Sequence, residues 1–261
     1  MNNTRFLRNK DLINVENLKE VTIIGLGGIG SFLVQTLGIM GFQIVRGYDD
    51  DVMESHNLSS TAYDFDDVGL PKANCAIKLW NRVTSPEQIF YGIEERFGVN
   101  NNTSPNMIIC TDDMESRKII YRMWWNRHGK SNPNAWLIDA RMGATSIEVV
   151  TCKGIVKQNY FEHWIPTSSV PSAPCSMKHT VFATTNVVSI VASQVHSLVA
   201  NLSYYDYIWS SLSPINIHYG TLIVPNINNK ETNGKSTQSA DGLGDNALRT
   251  DLLLHWSAKN R

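Results

Sequence analysis

The sequence predicts an α/β fold: a Rossmann-like, doubly wound and mostly parallel sheet with an added antiparallel hairpin and a long buried helix. Three features predict it. An apolar, β-branched run ends in glycines, strand-like and helix-like segments alternate to about residue 140, and a long uncharged stretch occupies residues 181–200. Residues 21–25 (VTIIG) are continuously apolar, as a strand buried on both faces of a parallel sheet requires. Residues 29–40 then read as a helix and 43–48 as a second strand, completing a βαβ unit. Pro71 suits the opening of the next helix, with Ala73, Ala76, Ile77, Trp80 and Val83 along one face. Strands are expected at 88–92, 107–111 and 135–139, with a helix over 115–127 between the last two.

Beyond Asp139, residues 145–152 and 155–160 flank Lys153-Gly154 and predict the antiparallel hairpin. A loop with Pro166, Pro171 and Pro174 leads to Cys175 and a long helix from Ser176, and 215–224 is the last strand. The Asn/Gly/Ser-rich remainder reads as a mobile polar tail. The chain therefore divides into an N-terminal arm (1–20), the α/β domain (21–224) and the tail (225–261).

Composition narrows the function classes. Among 261 residues, 23 Lys and Arg oppose 24 Asp and Glu, a net charge of −1 that lacks the basic field of a nucleic-acid binder. Cys75, Cys110, Cys152 and Cys175 form no C-x-x-C pair, so neither a disulfide scaffold nor a structural zinc site is expected, and a reducing, cytoplasmic setting fits. Arg5, Arg8, Lys10 and Asp11 interrupt the N-terminal apolar residues, which argues against a signal peptide. Thr184, Thr185, Asn186, Ser189, Ser193, Gln194 and His196 make the 181–200 stretch a buried helix rather than a membrane span. The histidines show no metal-ligand spacing.

Gly25, Gly27 and Gly30 form G-x-G-x-x-G between a strand and a helix, where backbone N–H groups and the helix dipole favour a phosphate. Asp49, about 20 residues on at the end of the second strand, suits a ribose hydroxyl. These features serve NAD and ATP equally, and an NAD-dependent oxidoreductase remains an alternative on them alone.

The further residues Asp51, Asn57, Leu58, Gly69, Lys72, Thr111, Asp112, Asp113 and Arg117 complete a longer pattern. GLGGIGS, D-x-D-x-x-x-x-x-N-L, G-x-x-K-A and C-T-D-D-x-x-x-R, in that order and spacing, resemble the ThiF/MoeB family of ubiquitin-activating-type adenylating enzymes, and R-F-L-R at the N-terminus is similar to the family's R-Y-x-R-Q. The resemblance implies a homodimeric adenylyltransferase using ATP and Mg2+ on the C-terminal carboxylate of a small ubiquitin-like or sulfur-carrier protein. It implies that Gly25, Gly27, Gly28 and Gly30 cradle the nucleotide and Asp49 holds the ribose, with Asp51 in the same cofactor set. Asn57 and Lys72 would touch phosphates, Asp112 would bind magnesium, and Arg8 would reach into the partner subunit's site.

One departure bears on activity. The family's Asn-Leu-x-Arg-Gln is here Asn57-Leu58-Ser59-Ser60-Thr61, so a phosphate-binding arginine is replaced by Ser60. Either Arg8 or Lys72 supplies the cation, or the chain is a catalytically silent scaffold. Cys175 has two readings, a packed thiol or the acceptor of the activated acyl group in the crossover region. Asp139 and Arg141 form either part of the cleft or a buried pair that fixes the loop, and Arg117 is either functional or an ordinary helix arginine.

Overall fold

The computed structural model describes residues 3–156, 160–164, 166 and 180–225. The expected βαβ unit is formed by β1 (Glu20–Ile24), α1 (Gly28–Met40) and β2 (Ile44–Tyr48). Both faces of β1 are covered: Val21 and Ile23 join one apolar cluster with Leu33, Leu37, Trp80 and Val191, while Ile24 joins another with Ile120, Met123 and Trp124. Such two-sided burial is why residues 21–24 show no alternation of exposed polar positions, Thr22 being buried with its apolar neighbours. Gly41, at φ 110°, ends α1 in the left-handed region and donates its N–H to the Leu37 carbonyl.

The chain continues through α2 (Lys72–Val83), β3 (Ile89–Ile93), β4 (Asn106–Ile109), α3 (Met114–Trp124) and β5 (Trp136–Met142). Pro71 immediately precedes α2, and a π-helical turn at Trp125–Gly129 extends α3 beyond the expected length. β6 (Ser146–Lys153), α4 (Val181–Val199), β7 (Tyr204–Tyr205), β8 (Tyr207–Leu212), β9 (Ile215–Tyr219) and β10 (Leu222–Ile223) complete the described fold.

Eight strands form one sheet in the order β3-β2-β1-β4-β5-β6-β8-β9. β3, β2, β1, β4 and β5 run parallel, and β6, β8 and β9 continue the sheet antiparallel. β7 and β10 form a separate two-stranded ribbon. The chain leaves β1 toward β2 on one side and returns at β4 on the other. The crevice beyond the carboxyl ends of β1 and β4 is therefore the topological switch point, where open α/β sheets bind ligands.

The antiparallel addition is present, but its pairing differs from the expected 145–152/155–160 hairpin. β6 pairs with β5 and β8. After Lys153 the chain turns off the sheet because Gly154 packs against the Asn132 carbonyl too closely for a Cβ, and the Ile155 N–H bonds the Gly129 carbonyl at 2.6 Å. Ile155 sits at φ 57°, and Tyr160 opens a short 3-10 turn instead of closing a strand. The expected last strand is divided at Gly220-Thr221 into β9 and β10. α4 is long and apolar enough, at mean hydropathy 1.2, to cross a membrane by length and composition, yet 44% of that window is buried inside the fold. It packs Val187, Val191 and Val195 into the core shared with α1. Its expected start at Ser176, Cys175 itself and the tail from residue 226 lie outside the described residues.

Candidate functional site

The loop from β1 to α1 is shaped by contact. Gly25 has φ 92°, and a Cβ there would lie 2.9 Å from the Cys110 carbonyl group at the end of β4. At Gly30 a Cβ would fall 2.0 Å from the Gly25 oxygen, so only glycine lets α1 approach its own loop this closely. Gly28 faces the Met142 side chain and the Ser60 carbonyl. Gly27 differs: a Cβ there would meet none of the described residues within 4 Å. It also occupies the cap position of α1, where no side chain caps the helix, so the helix N-terminus faces open space with its N–H groups available to an anion.

Asp49 stands at the end of β2, the neighbour of β1. Its Oδ2 accepts the Leu26 N–H at 2.6 Å and its Oδ1 accepts the Asp51 N–H at 2.9 Å. Burial pushes its carboxyl above the ordinary value, against the opposing effect of these two N–H groups. Each oxygen keeps acceptor capacity for a hydroxyl. Asp51 accepts the Lys72 ammonium at 2.6 Å, and Lys72, 9% exposed, also bonds the Asp51 carbonyl through its backbone N–H at 2.9 Å. Asn57 uses its side-chain oxygen to accept the Glu54 N–H at 3.0 Å in a capping box, which leaves its amide N–H2 as the group available to a ligand.

Ser60 is buried against the glycine loop, and its hydroxyl turns back to the Asn57 carbonyl at 3.4 Å. It brings no cation to the place where the family carries arginine. Two residues that sequence reasoning passed over also hold this corner. Ser31 Oγ accepts the Ala62 N–H at 3.0 Å and donates to the Gly28 carbonyl at 3.0 Å, and the buried Tyr63 donates its hydroxyl to the Leu26 carbonyl at 2.8 Å. Ser31 was visible as the last residue of GLGGIGS. Tyr63 lies in a loop without periodicity and gave no signal.

Across the switch point, β4 leads into Thr111-Asp112-Asp113. Asp113 caps α3, accepting the Ser116 N–H at 2.7 Å and the Glu115 N–H at 3.3 Å. The cap of α3 is thus Asp113, and Asp112 takes no part in it. Asp112 is exposed, and its carboxylate has no side-chain partner among the described residues. One carboxylate beside substrate phosphates suits magnesium, which binds through few protein ligands. Asp49, Asp50 and Asp51 also bring carboxylate oxygens within 4.8 Å of one another, but Asp51 is already paired with Lys72.

Arg117, Asp139 and Arg141 form a buried network. Asp139, fully buried, accepts Arg141 Nη2 at 2.6 Å, Arg141 Nε at 2.9 Å, the Tyr160 hydroxyl at 2.7 Å and Arg117 Nη1. Arg117 also donates to the Ala140 carbonyl at 3.1 Å and to the Thr111 carbonyl. Arg141 extends the network to Glu148 at 2.7 Å. These groups tie α3 to β5 and hold the residue before Asp112.

Arg8 is exposed on the arm, which docks at the far end of α1. Arg5 bonds the Gly38 carbonyl at 3.2 Å and Gln88 at 3.1 Å, and Phe6 packs against Gly41. The 13 residues of α1 separate that end from the glycine loop by about 20 Å, so Arg8 is not brought to its own chain's loop.

The three described cysteines are poor nucleophiles. Burial and the nearby Asp67 carboxylate push the Cys75 thiol up to about 11, burial pushes Cys110 up to about 12, and burial raises Cys152 further. A raised thiol pKa leaves the protonated, unreactive form in excess at neutral pH. Native protein treated with iodoacetamide at pH 8 is expected to label no cysteine other than Cys175 until it is unfolded in urea. Peptide mass spectrometry checks this, and rapid native labelling of Cys75, Cys110 or Cys152 would contradict it.

Comparison with known proteins agrees with this fold. A model of the ThiF family matches residues 3–204. The chain is 27% identical over 158 residues to tRNA threonylcarbamoyladenosine dehydratase 2 of Saccharomyces cerevisiae, covering 57% of this chain and 34% of that protein. It is 31% identical over 111 residues to the catalytic subunit of the NEDD8-activating enzyme of Arabidopsis thaliana, covering 41% of this chain and 24% of that one. The chain thus spans about a third or less of these curated relatives. E. coli MccB shares the fold. Its structure with ATP gives a TM-score of 0.65 at 18% identity and its structure with MccA 0.67 at 16%, each covering 87% of this chain and 74% of MccB.

Proposed function

Because the chain belongs to the ThiF family, we propose that it is an ATP-dependent adenylyltransferase. It activates the C-terminal carboxylate of a small ubiquitin-like or sulfur-carrier protein. The observation that carries this reading is the uncapped N-terminus of α1 at Gly27, opening onto the switch point with Asp112, unpartnered among the described residues, in the loop that follows the adjoining strand β4. An anion site and a free carboxylate on neighbouring strand ends suit a nucleotide triphosphate with its metal better than NAD, which leaves Lys72 and Asp112 without a task.

In the proposed reaction a carrier carboxylate oxygen attacks the α-phosphorus of ATP. A P–O bond forms, the bond to the β-phosphate oxygen breaks, and acyl-adenylate and pyrophosphate result. Gly27 and Gly28 offer backbone N–H groups to the phosphates, Asp49 accepts from the ribose, and Asn57 donates its side-chain N–H2. Lys72 exchanges Asp51 for phosphate oxygens, offsetting the negative charge that builds up on them in the transition state. Asp112 would hold magnesium, which would supply neutralisation of the phosphate charge. Arg8 contributes from the second subunit of a homodimer, in keeping with its distance from its own loop. Cys175, if it acts, follows adenylation: its thiolate attacks the acyl carbon, AMP leaves and a thioester forms.

The test is ATP/pyrophosphate exchange with magnesium and a ubiquitin-like carrier ending in a free Gly-Gly carboxylate. Exchange is expected with that carrier and not with its C-terminal amide, and Lys72→Ala should lower the rate by roughly a hundredfold. Ser60 favours one second reading, a scaffold that binds the carrier without activating it. Carrier binding with no exchange would establish that alternative and overturn the enzyme.

A further inference from the structure

We propose that Tyr63 is a positioning residue for the nucleotide site, setting the glycine loop through the backbone of Leu26. The inference rests on the nucleotide reading above and adds to it a residue that no motif contains. Leu26 is the middle residue of Gly25-Leu26-Gly27 and is fully buried. Three separate contacts fix it. Its N–H is held by Asp49 Oδ2 at 2.6 Å, its carbonyl accepts the Tyr63 hydroxyl at 2.8 Å, and its side chain packs, with the Phe90 ring, over the place a Cβ of Gly47 on β2 would take. The carbonyl that Tyr63 holds belongs to the same peptide unit as the Gly27 N–H, the first donor of the open helix end. Planarity of the peptide bond couples the two: fixing the oxygen fixes the direction of the N–H.

The same hydroxyl lies 3.4 Å from the Lys72 carbonyl in the first turn of α2. One buried phenol therefore touches both segments assigned to phosphate, the glycine loop and the helix start that carries Lys72. Burial first, then the neighbouring Asp49 carboxylate, push its pKa well above the ordinary value, so the proton needed for donation stays on the oxygen throughout the physiological range. A tyrosine serving only to fill space needs no such bond.

Tyr63→Phe removes the hydroxyl and keeps the ring. Two readouts apply to the full chain. Titration with the non-hydrolysable analogue AMPCPP and magnesium is expected to give a Kd about tenfold weaker than wild type, the scale of one lost hydrogen bond. Hydrogen exchange of the apo protein is expected to show the Leu26 amide, which Asp49 holds, exchanging several-fold faster, with the centre of α1 unchanged. Replacing Tyr63 with p-aminophenylalanine restores a donor and is expected to recover affinity to within about twofold. Equal affinity in wild type and Tyr63→Phe, or equal loss in both variants, would overturn the proposal. Failure of the wild-type protein to bind AMPCPP would overturn the nucleotide reading itself and this proposal with it.

Discussion

Asp112→Ala is expected to abolish ATP/pyrophosphate exchange while leaving stability within about 0.5 kcal/mol, as for a surface substitution that breaks no bond. Asp113→Ala should do the reverse: loss of the α3 cap costs about 1 kcal/mol, and exchange survives. Two adjacent aspartates would then separate by role, one chemical and one structural. Full exchange in Asp112→Ala would refute the assignment of the metal carboxylate. The same variant tests the second subunit. Mixed with Arg8→Ala protein and allowed to exchange subunits, it should regain roughly one quarter of wild-type activity, because half the dimers are mixed and each of these holds one intact site. If Arg8 acts within its own chain the mixture stays inactive, and if Arg8 has no role the Arg8→Ala protein is active by itself.

Asp139→Asn should cost about 3–5 kcal/mol, read as a fall in the urea midpoint, because it leaves two buried guanidiniums facing a neutral group. Burial alone would push the Asp139 carboxyl up, but Arg117, Arg141 and the Tyr160 hydroxyl overcome it and hold the carboxyl below the ordinary value. The sign of the pH dependence follows. A depressed carboxyl contributes stability that is fully present above the unfolded value, near 4, and is lost as pH falls from there toward the folded value. Wild-type protein should therefore lose stability steeply on acidification below about pH 4, and Asp139→Asn should lack that part of the slope. An Asn variant as stable as wild type would mean that the network is not held by charge.

The parallel half of the sheet was legible because burial on both faces writes itself into sequence as unbroken apolar runs, as in β1, and because glycines mark the turn after it. The antiparallel half was less legible. β8 buries Ile208 and Ser210 and carries Tyr207, Trp209 and Ser211 at the alternate positions, so its inner face is half polar and its alternation is concealed. β6 was recognised and given the wrong partner, because the pairing was decided by where Gly154 lets the chain leave the sheet. At the site, residue types and order were readable. Roles that depend on neighbours were not: capping by Asp113, the pairing of Lys72 with Asp51 and the Leu26 contact of Tyr63 all come from long-range packing.

The unequal surroundings of the loop glycines have a consequence for how the site tolerates drift. Gly25 and Gly30 are fixed by collision with backbone, so any side chain there harms folding whatever the protein binds. Gly27 collides with none of the described residues, so a side chain there would obstruct the proposed ligand rather than the fold. In a library of variants screened first for folded protein and then for activity, Gly25 and Gly30 would disappear at the first screen and Gly27 only at the second. A lineage that kept the fold but abandoned nucleotide chemistry would accordingly retain Gly25 and Gly30 and let Gly27 vary.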